Sequence, residues 1–381
     1  MPTFVPFHRP HIGEEEIAAV VKTLRSGCLT LGPKTHQFQQ AFAEAVGVAQ
    51  AIAVNSCTAA LHLALDALDL PRDAEVITST LTFTATAATI VHAGAKPVLV
   101  DVTPDTLNLD PRDLEAKITP RTRAILPVHF AGHPAPMDEL LELARHHDLR
   151  VVEDAAHALP ASHRGRRIGT IGDITAFSFN ATENLTTGEG GMLTTSDAEL
   201  ANRMWMRRYH GMHWAACRDR GGGRWRYDVA YPGFKYNMTD IAAAIGLVQL
   251  RRLPEFGRRR CEIAALYTRL LSDVPQLLLP VIRPEVEHAW HLYMVRLRPA
   301  RTRLTRDALI EALKTHGIGS GVHLIPLRFL IRHVPDRTTR AGRLVSFLKE
   351  CRLPTGMLAN VPAVATRRLS PTVNVISPSR T

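Results

Sequence analysis

Short apolar, β-rich runs alternate with stretches of helical spacing over most of the chain's first half, and this alternation constrains the fold more than any other feature. The runs fall at 51–54, 75–78, 97–101, 124–128 and 149–153, with two more at 174–178 and 192–195. Helical segments lie between them at 59–68, 85–93 and 137–147, and two precede them at 13–25 and 36–46. In the first of these two, Ile17, Ala18, Val21 and Leu24 mark an apolar face. Strands separated by helices must be joined by crossovers, so the expected fold class is α/β with a mostly parallel sheet. A helix at 239–250 closes this region and a connecting helix follows at 255–272. A strand at 291–297 and a helix at 306–316 then predict a smaller α+β domain. The expected division is a large domain over 1–254, a small one over 255–327 and an atypical basic tail over 328–381.

Charge narrows the choice of partners. The chain has 381 residues and a net charge of +10. Ten basic residues from Arg328 to Arg380 face only Asp336 and Glu350, so the tail carries +8 and the preceding 327 residues carry +2. The excess has no interleaved aromatics and no recognisable module, so no nucleic-acid partner is expected. The bias in the tail instead points to a segment that is poorly ordered. No apolar run reaches the ~18 residues of a membrane span, and the N-terminus lacks the basic and apolar blocks of a signal peptide. Five scattered cysteines (Cys28, Cys57, Cys217, Cys261 and Cys351) form no metal-type pair, so free thiols, no metal and a cytoplasmic location are expected.

Three constellations can carry chemistry. Asn55-Ser56-Cys57-Thr58-Ala59-Ala60 stands at a strand-to-helix junction, where backbone N–H groups and hydroxyls suit a phosphate; the same residues also make an ordinary helix cap. Val151-Val152-Glu153-Asp154-Ala155-Ala156-His157 puts a carboxylate at the end of a buried strand, where open α/β sheets hold their ligands; a structural carboxylate or a cap is the plainer alternative. Ser178 to Gly191 is a polar loop ending in Gly188-Glu189-Gly190-Gly191, either a surface close to a ligand or a hairpin connection.

In this order and spacing the three resemble the DegT/DnrJ/EryC1/StrS sugar aminotransferases, which are fold-type I pyridoxal-phosphate proteins. The resemblance spans roughly 5–327 and includes Ser26–Pro33, Thr82–Ala87, Gly233–Asp240, His291-Leu292-Tyr293 and Gly321–Leu327. It implies that Thr58, the backbone of Ala59 and Ser178 bind the cofactor phosphate. Phe83 would stack on the pyridine ring, unless it is a core aromatic. Asp154 would pair with the ring nitrogen and His157 would lie near the ring hydroxyl. Lys235 and Asn237 would reach the phosphate of a neighbouring subunit in a homodimer, or else lie in a solvated loop. Thr30 and His323 would meet a nucleotide-sugar substrate, although a lone histidine is also an ordinary surface or core residue. The activity implied is amination of a nucleotide-linked ketosugar with glutamate as donor.

The sequence departs from that pattern at the catalytic position. The family lysine before Asn-Leu-Thr-Thr-Gly-Glu-Gly-Gly is Glu183 here, and a carboxylate forms no Schiff base. Asn180 replaces a family histidine, and Cys57 replaces a glycine, which predicts strain if that position needs φ > 0. Pyridoxal 5'-phosphate is therefore expected non-covalently, as an external aldimine or as pyridoxamine phosphate. The chain would then be an aminotransferase, a catalytically impaired holder of cofactor or aminosugar adduct, or a lysine-less enzyme akin to a dehydratase.

Overall fold

The computed structural model describes residues 4–213, 227–327 and 372–374. Seven strands form the central sheet: β1 (Gln50–Val54), β2 (Glu75–Ser79), β3 (Lys96–Val100), β4 (Thr122–Leu126), β5 (Arg150–Asp154), β6 (Ile174–Ser178) and β7 (Gly191–Thr195). Their order is β1-β7-β6-β5-β4-β2-β3. β2, β3, β4, β5 and β6 pair in parallel, whereas β7 is antiparallel to both β1 and β6. Helices make the crossovers from β2 to β3, β3 to β4 and β4 to β5, as the alternation required, whereas β5 reaches its parallel neighbour β6 through a segment holding only the short antiparallel pair Ser162–His163 and Arg166–Arg167. The step from β6 to β7 is a direct return through residues 179–190, and there the parallel run is interrupted.

Nine helices surround the sheet among the described residues: α1 (Glu14–Ser26), α2 (Pro33–Val46), α3 (Cys57–Ala67), α4 (Thr84–His92), α5 (Pro111–Glu115), α6 (Met137–His146), α7 (Ala198–Arg207), α8 (Asp240–Leu271) and α9 (Arg306–Thr315). On one face Phe38, Phe42, Phe177 and Phe179 interlock, with ring centroids 5.2–6.1 Å apart. On the other, Leu61, Leu63 and Leu65 of α3 are buried in one cluster with Val76 and Leu193 of the sheet.

Gly246 of α8 presses on the Phe38 ring, where an added Cβ would stand 2.7–2.9 Å from three ring carbons. Alanine normally gains ~1 kcal/mol over glycine in a helix, but the clash costs more in a close-packed core. Gly246→Ala is therefore expected to destabilise the protein by roughly 1–2 kcal/mol, read as a lower denaturant midpoint. A stabilised variant would contradict this packing.

Two expectations change on the structure. The helices expected at 239–250 and 255–272 are one, α8, with Pro254 inside it and exposed to solvent. The helix therefore runs unbroken past the expected domain boundary and carries the chain from the large sheet to the outer strands. Those strands are Leu277–Leu278, Met294–Leu297 and Thr372–Asn374, paired antiparallel.

The first helix also faces the other way. Its buried residues are Glu16 and Thr23, while Ile17, Val21 and Leu24 are exposed. Glu16 accepts hydrogen bonds from Gln249 Nε2 (2.7 Å) and Arg252 Nη1 (3.2 Å), so a polar clamp, not apolar burial, fixes α1 on α8. Apart from 372–374, the basic tail lies outside the described residues, as do Cys217 and Cys351. Cys28, Cys57 and Cys261 are free thiols, and no helix among the described residues is long and apolar enough to cross a membrane.

Candidate active site

The carboxyl ends of β5 and β6 and the start of α3 converge at one edge of the sheet, the edge where open α/β folds hold ligands. β5 ends in Asp154, which is buried. Thr86 Oγ1 donates to its Oδ2 (2.8 Å) and the Ala156 N–H to its Oδ1 (3.2 Å). Burial pushes the Asp154 carboxyl above its ordinary range, with Thr86 and Ala156 opposing the shift. Its neighbour Glu153 points the opposite way, toward β4 and β6. There it is satisfied by His129 Nε2 (2.9 Å), the Gly172 N–H (2.7 Å) and Thr175 Oγ1 (2.7 Å). Alternation along one strand thus separates a structural carboxylate from one that faces the site.

The 179–190 return brings Glu183 to the same place. Asn180 accepts from the backbone and hydroxyl of Thr182 and donates to Glu189, and the Glu183 N–H closes a turn on the Asn180 carbonyl. Asn184 Nδ2 fastens the next residue to the Leu159 and Ala289 carbonyls (2.8 and 2.9 Å). The Glu183 side chain is 10 % exposed, and its buried Oε2 has no hydrogen-bond partner; His291 Nδ1 is 3.4 Å away without hydrogen-bond geometry. Burial pushes the Glu183 carboxyl up to about 8. The Asp154 and Glu189 charges push the same way, while Ser178 and Arg260 favour the ionised form.

The glycines of the loop have separate reasons. Gly188 is left-handed (φ 81°). A Cβ on Gly190 would meet Thr187 Oγ1 and the Met238 methyl, and one on Gly191 would stand 2.6 Å from the Ser56 carbonyl carbon and oxygen. The run is thus both a hairpin connection and the wall of the site, because β7 starts directly beneath the N-terminus of α3.

That N-terminus holds Ser56 as N-cap, its Oγ accepting from the Ala59 N–H (3.1 Å). Ala59 is buried with its amide engaged, whereas Thr58 is exposed. Cys57 is the first helical residue and is absent from the left-handed region, so it carries none of the backbone strain expected of it. Its thiol is pushed well up by burial and by the Asp154 and Glu183 charges. Ser178 ends β6 and is buried.

Phe83 is 64 % exposed at the start of α4, so it is no core aromatic. His157 stacks on His291 (4.3 Å between centroids, 16° between planes) and lies edge-on to His323 at 5.9 Å. Its Nδ1 accepts from the Ala131 N–H (3.3 Å). Burial, reinforced by His323, drives His157 down to about 3, and His291 and His323 are lowered by burial as well. The three rings are therefore neutral at neutral pH. Thr30, Lys235 and Asn237 form a separate group. Lys235 Nζ donates to Asn237 Oδ1 (2.5 Å), and Asn237 Nδ2 donates to Thr30 Oγ1 (3.3 Å).

Three residues of the site had no role assigned from sequence. Thr86 and His291 stand in segments that carry the family resemblance, which was the available signal. Arg260, about two-thirds of the way along α8, had none; only the fold brings it near Glu183.

The sheet order and the carboxylate at the end of β5 define a fold-type I aminotransferase, and solved structures agree. Spr1654 of Streptococcus pneumoniae, a candidate sugar aminotransferase solved in PMP and PLP forms, matches with TM-score 0.82 for both. The PMP form is 31% identical, covering 98% of this chain and 92% of that one; for the PLP form the figures are 30%, 99% and 94%. The sugar aminotransferase CalS13 of Micromonospora echinospora matches with TM-score 0.83 and 31% identity, covering 97% and 94%. The DegT/DnrJ/EryC1/StrS aminotransferase family model matches residues 10–344, and the chain belongs to that family. Among its relatives, the spore coat polysaccharide biosynthesis protein SpsC of Bacillus subtilis is 51% identical over 326 residues, covering 85% of this chain and 84% of SpsC.

Proposed function

We propose that this site receives a pyridoxal-type cofactor and a nucleotide-linked ketosugar, with glutamate as the amino donor, and that the carboxylate at position 183 withholds the covalent step. The observation that carries this is a pair of carboxylates: the buried Asp154 at the end of β5 and the largely buried Glu183, with its buried Oε2, in the β6–β7 return. Asp154 suits a protonated ring nitrogen, because such a cation would restore a charge its burial disfavours. The open Phe83 ring suits a face of the same heterocycle, and the neutral His157 suits a hydrogen bond to a ring oxygen. When bound, the cofactor supplies an electron sink for bond changes at an amine-bearing carbon.

Glu183 cannot attack an aldehyde as an amine does; it can hold or move a proton. That carboxylate favours a second reading, a holder of cofactor or aminosugar adduct that does not turn it over. On the main reading the chain pairs as a homodimer, with Lys235 and Asn237 serving the partner's phosphate. Supporting this, α1 leaves Ile17, Val21 and Leu24 bare, and Lys235 and Asn237 bond one another beside Thr30 and Tyr209.

The test is retention of pyridoxal 5'-phosphate and pyridoxamine 5'-phosphate by the purified protein and by Asp154→Ala. At least a tenfold loss of affinity is expected for the variant, since one charge-assisted pair contributes ~1.5–3 kcal/mol. Unchanged affinity would refute the role of Asp154. Glutamate consumption coupled to a nucleotide-linked ketosugar then separates slow turnover from none.

A further inference from the structure

We infer that the site selects the aminomethyl form of the cofactor, pyridoxamine 5'-phosphate, over forms neutral at that carbon, and that Glu183 is the counter-ion of its ammonium group. This rests on the cofactor reading above. Three observations carry it. Glu183 Oε2 is buried without a hydrogen-bond partner, so the pocket holds an acceptor that nothing in the chain fills. No cation hydrogen-bonds to it, although the Arg260 charge acts on Glu183 through space. Arg260 is directed elsewhere, its Nη1 donating to the Trp290 carbonyl (3.2 Å), and the facing His291 is kept neutral by burial and by His157, Arg260 and His323. Finally, the other groups around Glu183 are Asp154 from β5, Glu189 from its own loop and the Ser178 hydroxyl from β6, two of them acidic. A pocket of this composition favours a ligand that brings a positive charge, and an uncharged carbonyl or hydroxymethyl brings none. Among the described residues no group of three or more His, Cys, Asp and Glu side chains is arranged to take a metal ion instead.

The discriminating charge sits at one atom of the ligand. Asp154 faces the ring nitrogen in every form of the cofactor, and the phosphate is common to all, so both cancel when two forms are compared. The selection is also linked to protons. Free Glu183 is protonated below about 8, and pairing with an ammonium ionises it. The carboxyl O–H bond breaks, its proton goes to solvent, and the ligand keeps its three N–H bonds. Affinity for the amine form therefore rises from pH 6 to 8.

Calorimetry with pyridoxamine 5'-phosphate and its hydroxymethyl isostere, pyridoxine 5'-phosphate, tests this without turnover. The full chain is expected to bind the amine at least tenfold more tightly at pH 8. Titrations in buffers of different ionisation enthalpy should show release of about one proton at pH 7. Glu183→Gln should bring the two affinities within about threefold by weakening the amine alone, and should abolish the proton release. Glu183→Asp, which keeps the charge, should retain a preference for the amine. Equal binding of the two ligands, or an undiminished preference in Glu183→Gln, overturns the inference while leaving the cofactor reading intact. Binding of neither ligand overturns both.

Discussion

Glu183→Lys is expected to convert the protein into one that captures pyridoxal 5'-phosphate covalently and releases 2-oxoglutarate from glutamate. The backbone at this position is already fixed by the Asn180 turn and the Asn184 clamp. A lysine there would stand in the field of the Asp154 and Glu189 carboxylates, which act on Glu183 now. A nucleophilic amine replaces a group that forms no bond to an aldehyde. The half-reaction should therefore quicken by at least about 10³-fold, or about 4 kcal/mol of barrier. The readouts are absorbance toward the visible edge, cofactor retained through gel filtration, and 2-oxoglutarate. An inert Glu183→Lys protein would place the defect beyond position 183, at Cys57 or Asn180. A wild-type protein that already shows the covalent band would remove the basis of the expectation.

The cofactor-free protein is expected to lose stability as pH rises from about 6.5 to about 8, and Glu183→Gln to suppress much of that loss. The folded Glu183 carboxyl titrates at about 8, far above the ordinary 4.5. Between these values the native state holds a proton that the unfolded chain has released, so raising pH favours unfolding. Asp154 is shifted upward too and adds to the same slope. His157 is lowered to about 3, with His291 and His323 also lowered. They act in the opposite sense below their ordinary value of 6.5, where the unfolded chain gains protons that the native state refuses. Stability should therefore peak on the acid side of neutrality. The advantage of Glu183→Gln over wild type should grow to about 4 kcal/mol by pH 8, because each pH unit between the unfolded and folded titration points contributes ~1.4 kcal/mol. Thermal unfolding of both proteins across pH 5–9 measures it. A pH-independent difference would mean that Glu183 is not held in the buried state described.

Each strand of the main sheet was legible from its apolar run. The place of Asp154 at the end of β5 was legible because it closes such a run. Thr86 and Arg260 were not, because they act through space on residues 68 and 77 positions distant. The Gly188–Gly191 run was ambiguous in sequence because its two alternatives describe one object: a tight return whose wall must pass under α3. The face of α1 was misjudged. Its apolar spacing is genuine, but Gln249 and Arg252 hold the polar face inward.

The sequence by itself determined the fold class, the family and the loss of the lysine, since these follow from local periodicity and from residue types at fixed spacings. Tertiary structure alone decided what that loss leaves behind. Glu183 becomes an unpartnered acid with a raised titration point only because the loop folds back beside Asp154, opposite the neutral His291 and out of Arg260's hydrogen-bonding reach. Charge state in a buried site depends on desolvation and on every group brought near it in space, and neither quantity is written along the chain.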